Sequence, residues 1–72
     1  MTDVVDSDEL LRRIRRARAC AQREERAWRA RGDDLRATDP EAARDAAVRM
    51  LSYESVLRVL DEILTPGQRP IE

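Results

Sequence analysis

Every basic residue of this chain is an arginine, so guanidinium chemistry is the first to weigh. Arg12, Arg16, Arg23 and Arg26 recur at spacings of three, four and seven, which place them on one side of an α-helix, with Arg15 and Arg29 flanking. A helix faced in this way could track nucleic-acid phosphates. The same residues also fit a solvated face paired with acids. Residues 8–31 hold nine Arg and four acids, residues 39–64 three Arg and six acids, and the whole chain has a formal net charge of −1. A basic segment beside an acidic one attracts it within one chain or across two. The aromatic stacking platform and the helix-turn-helix spacing of common nucleic-acid modules are missing. Phosphate binding by Arg12, Arg16, Arg23 and Arg26 is therefore the alternative reading, and a solvated, acid-paired face is the leading one.

Other reactive groups are sparse. With no histidine and a single cysteine, Cys20, the chain has neither an intrachain disulfide nor a mixed cysteine–histidine zinc site. A bundle di-metal centre would need Glu-x-x-His motifs. Asp33 with Asp34, and Asp61 with Glu62, are sequence neighbours and point to different sides of a helix. The expectation is a non-enzyme without metal or cofactor. Trp28 and Tyr53 read as core residues, and Cys20, at the edge of an apolar stripe, as a small buried hydrophobe.

The elements that would position these groups are two helices. Asp6 is a good N-cap, Glu9 three residues later makes a capping-box pattern, and Val5 with Leu10 makes a hydrophobic staple. Helix 1 is expected from about 7 to 36, along a stripe of Leu10, Ile14, Ala17, Ala21, Trp28 and Leu35. Gly32 could end it as a C′ residue. Leu35 keeps the phase of Trp28, which favours continuation with a kink or frayed turn at Gly32. Glu24 and Arg31 fall in the same phase, either fixing register or lying wet where the helices splay. Asp39-Pro40 starts helix 2, with Pro40 at N1. Its stripe is Ala43, Ala46, Met50, Tyr53, Leu57, Leu60 and Leu64, ending near residue 64 before Thr65-Pro66-Gly67 and a tail to residue 72.

A turn at 37–39 makes the helices antiparallel neighbours. The fold class is thus all-α, one helical-hairpin domain over 1–72, with facing levels Leu10–Leu64, Ile14–Leu60, Ala17–Leu57, Ala21–Tyr53 and Trp28–Ala46. A domain this small buries only about 60% of its unfolded surface and needs a staple or a partner. At the open end the apolar surface exceeds one seam. Val56, Val59 and Ile63 stand beside Leu57, Leu60 and Leu64, spanning an arc of roughly 160°, and Leu11 widens the stripe of Leu10 and Ile14. A patch of that width marks an interface. The expected interface residues are Leu10, Leu11, Ile14, Val56, Val59, Leu60 and Ile63. The expected partner is a second copy forming a four-helix bundle, or another protein, in an adaptor or regulatory role. No apolar run approaches the roughly 18 residues of a membrane span. The first residues lack a basic signal-peptide region, so a cytoplasmic location is expected. All-arginine usage points to a GC-rich host such as an actinobacterium or its phage.

Overall fold

The computed structural model describes residues 6–65, which form two α-helices and, among the described residues, no strand. Helix α1 spans Ser7–Leu35 and helix α2 spans Pro40–Leu64. Val5 of the expected staple, the Pro66-Gly67 stop and both tails lie outside the described residues.

Each helix begins on an aspartate. Asp6 has extended backbone, and its Oδ1 accepts a hydrogen bond of 2.7 Å from the Glu9 N–H. Asp39 Oδ1 accepts from the Ala42 N–H at 3.1 Å, with Pro40 in the first turn. Each cap satisfies an N–H that the helix leaves without a partner. Glu9 does not complete the expected capping box. Its carboxylate turns to Arg12 and Arg13, each at 2.9 Å, because charge-assisted bonds to guanidinium are the stronger option. At the far end of α2, Thr65 returns both its N–H and its Oγ1–H to the Asp61 carbonyl, at 2.8 and 2.9 Å.

Gly32 does not end α1, which continues to Leu35 with Arg36 as its cap. The Thr38 and Asp39 N–H groups both donate to the Leu35 carbonyl, at 3.1 and 2.7 Å, and turn the chain back within four residues. A reversal that tight forces the helix axes together, and small residues sit there. A Cβ on Gly32 would lie 3.5 Å from the Ala46 Cβ and 3.7 Å from the Ala43 carbonyl oxygen.

That contact fixes the antiparallel register. Stepping from Gly32–Ala46 by heptads gives facing levels Trp28–Met50, Glu25–Tyr53, Ala21–Leu57, Arg18–Leu60 and Ile14–Leu64. Arg18 bonding to Asp61 and Arg49 lying over the Trp28 ring agree with it. The register is one helical turn away from the expected one. The face of α1 is rotated as well. Ile14, Ala21, Trp28 and Leu35 are in the seam as expected, but the positions between them are Leu11, Arg18, Glu25 and Gly32. Leu10 and Ala17 are exposed instead, and Glu25, not Glu24, is buried. Helix α2 keeps its expected stripe, from half-buried Ala43 through buried Ala46 to half-buried Leu64.

The resulting core is thin. Among the described residues, the buried apolar ones are Ala21 and Ala46, joined by the buried carboxylate of Glu25. Trp28, Tyr53, Leu57 and Leu60 reach only half burial, because one helix can cover only one side of another.

Candidate interaction face

The two long edges of the seam differ in chemistry. Arg29 follows seam residue Trp28, and Glu54 follows seam residue Tyr53. Their approach to 3.7 Å shows that the residues just after seam positions share one edge. Along it Arg29 also grips Glu25, with Nε donating to Oε2 at 3.0 Å, and Arg58 stands 3.8 Å from Glu54. Further out, Arg18 spans from α1 to α2, donating from Nε and Nη2 to the two Asp61 oxygens at 2.6 and 3.3 Å, and from Nη1 to Gln22. Its aliphatic stem covers the seam while its head reaches the edge. These partners hold both guanidinium groups in their charged form, raising Arg18 through the Asp61 bond and Arg29 through the Glu25 bond.

Residues just before seam positions form the other edge; toward the turn it carries Glu24, Arg31, Asp45 and Arg49, and at the open end it is apolar apart from Arg13, which pairs with Glu9. Leu10 and Ala17 precede Leu11 and Arg18. Val56 and Ile63 precede Leu57 and Leu64. Val59, one turn from Val56, and Cys20, one turn from Ala17, carry this surface outward. Leu10, Val56, Val59 and Ile63 are 45–61% exposed. Cys20 is also exposed, which corrects its expected burial and follows from the rotated phase of α1. Ser52 and Ser55 lie between the valines without adding a free donor. Their hydroxyls donate to the Val48 and Leu51 carbonyls, at 3.0 and 3.1 Å. Toward the turn the apolar strip ends where the Arg49 guanidinium lies 4.9 Å from the Trp28 ring centre.

Of the residues expected at an interface, Leu10, Val56, Val59 and Ile63 share this edge. Leu11, Ile14 and Leu60 are half-buried in the seam, so Leu11 is intrahairpin packing and not surplus surface. Sequence reasoning missed Ala17 and Cys20, whose membership depends on the phase of α1. It also missed exposed Val48 and Leu51 on the outer side of α2, which their apolar types alone could have flagged.

The arginine face lies elsewhere. Arg12, Arg16, Arg23 and Arg26 are all exposed on the outer side of α1. Glu9 engages two of them, Arg12 at 2.9 Å and Arg16 at 3.9 Å, and its carboxyl is held below the usual range by Arg12 first, then Arg13 and Arg16.

A groove of about 370 Å³ opens beside the turn between Trp28, Gly32, Ala43, Ala47 and Met50. Three arginines stand on its rim: Arg29 turns to Glu25, Arg36 turns to Asp33, and Arg44 completes the rim. Among the described residues no cluster of His, Cys, Asp or Glu could hold a metal ion, and no helix is long and apolar enough to cross a membrane. Neither a protein family, nor a characterised protein, nor a solved structure matches this chain.

Proposed function

We propose that this chain is a small non-catalytic protein–protein interaction module, adaptor or regulatory in role. Its working surface is the apolar edge at the open end of the hairpin. The observation that carries this reading is the pairing of Leu10, Val56, Val59 and Ile63, all exposed on one edge, with a core whose buried apolar members, among the described residues, are two alanines. A hairpin so thinly cored gains most from burying that edge against more protein. The helix surface that meets the partner then completes a bundle of four helices. A non-catalytic role is supported by the state of the carboxylates, since Glu9, Glu25, Glu54 and Asp61 are all drawn to arginines.

The test is retention of protein from a lysate of the source cell on immobilised chain, with Val59→Asp as comparator. Asp at this position would place an unpaired charge in any interface formed there. Retention by the parent chain and its loss in Val59→Asp support the reading. Equal retention by both forms contradicts it. A duplex-DNA titration at two salt concentrations addresses the arginine face. Tight binding with a steep salt slope, abolished by reversing Arg16 and Arg23 to Glu, would replace the interaction reading with the nucleic-acid one.

A further inference from the structure

Resting on that reading, we infer that the occupant of the apolar edge is a second copy of this chain. It packs with its open end beside the open end of the first, α1 of each copy against α2 of the other. Two observations select this arrangement. One is charge. Residues 8–31 hold nine Arg and four acids, and residues 39–64 three Arg and six acids. A twofold axis running along the helices puts the basic helix of each copy against the acidic helix of the other. An axis across the helices would instead set basic α1 against basic α1. The other observation is side-chain size. On this edge α2 presents Val56, Val59 and Ile63, and α1 presents Ala17 and Cys20 at the heights of the two valines, with Arg13, paired to Glu9, at the open-end rim beside Ile63. Bulk meets small residues only when α1 faces α2 of the other copy, as close packing requires. Nearer the turn, Asp45 of one copy falls level with Arg31 of the other. The serines in the contact carry their hydroxyl protons on their own helix carbonyls, so burial leaves no donor stranded.

Cysteine chemistry reads out this geometry. Cys20 of one copy comes level with Val59 of the other, on helices in direct contact. The two Cys20 residues lie on helices diagonal to one another, about 11–14 Å apart for neighbouring axes 8–10 Å apart, which is beyond disulfide reach. Within one chain positions 20 and 59 both point outward from the edge, so they cannot bridge each other.

The experiment is oxidation of the parent chain and of Val59→Cys, with sedimentation equilibrium of the reduced proteins and circular dichroism to confirm retained helix. The expected result is a reduced dimer in both, a covalent dimer from Val59→Cys, and none from the parent chain. Efficient Cys20–Cys20 linkage in the parent chain overturns the orientation, because it requires α1 against α1. A monomer at every concentration overturns the second copy as occupant. If that monomer still retains lysate protein in a Val59-dependent way, the interaction reading survives the loss. If it retains none, both fall.

Discussion

Replacing Gly32 by alanine should stabilise the hairpin, although Gly32 packs against α2 beside the turn. Glycine inside a helix costs about 0.5–1 kcal/mol relative to alanine, through the freedom it loses on folding. The added Cβ would stand 3.5 Å from the Ala46 Cβ and 3.7 Å from the Ala43 carbonyl oxygen. Both are ordinary contact distances, so the methyl fills space without moving either neighbour. The full propensity gain is then available. For a domain of this size 1 kcal/mol corresponds to about 4–8 °C in Tm, giving a rise of about 2–8 °C. The assay is thermal unfolding followed by circular dichroism, at equal protein concentration because association shifts Tm by mass action. A fall in Tm for Gly32→Ala would refute the reasoning, since it would mean that the helices meet more closely than this or that Gly32 ends α1. Gly32→Leu is the counterpart. A side chain of that length must either press on Ala46 or turn into the groove beside Trp28, and where it presses, overpacking costs about 1–3 kcal/mol.

The Glu25–Arg29 pair should respond asymmetrically. Arg29→Ala strands a buried carboxylate and should lower the midpoint of denaturant unfolding, whereas Glu25→Leu should be neutral or stabilising, since apolar replacement of a buried ionic group often is. Leu60→Ala should cost about 2 kcal/mol, the low end for leucine truncation because Leu60 is half-buried, and Arg23→Ala less than about 0.5 kcal/mol; similar values for the two would mean that the faces are misassigned. Acid should loosen the start of α1. The Glu9 carboxyl is held below its ordinary value in the folded chain, so the unfolded chain binds the proton first and this contribution, complete above the usual carboxylate range, disappears as pH falls through the lowered value. Glu9→Gln should remove that part of the pH dependence, and an unchanged acid transition would refute the assignment.

Both helix starts were legible, because an aspartate followed by an acidic or proline-led first turn has one good local use, and Asp6 and Asp39 take it. The face of α2 was legible because all seven of its seam positions, from Ala43 to Leu64, are apolar. Helix α1 was not, for a specific reason. Ile14, Ala21, Trp28 and Leu35 serve two heptad frames equally, and counting apolar residues favours the frame with Leu10 and Ala17. The frame that forms uses Leu11, Arg18, Glu25 and Gly32. What decides is tertiary. Gly32 admits Ala46 beside a tight turn where Arg31 could not, and Arg18 and Glu25 find partners in Asp61 and Arg29. Neither partner is visible in the periodicity of one helix. The misphasing carried the site with it. Cys20 and Ala17 moved onto the apolar edge and Leu11 left it, while Val56, Val59 and Ile63, set by the unambiguous α2, stayed.

Sedimentation equilibrium of the parent chain beside Val59→Asp, over a wide concentration range, tests the central claim most directly. Burial of the apolar edge against a second copy predicts twice the single-chain mass for the parent chain and the single-chain mass for Val59→Asp, with helix content retained in the variant. A parent chain with the mass of one copy throughout, or a Val59→Asp dimer as tight as the parent's, would contradict it.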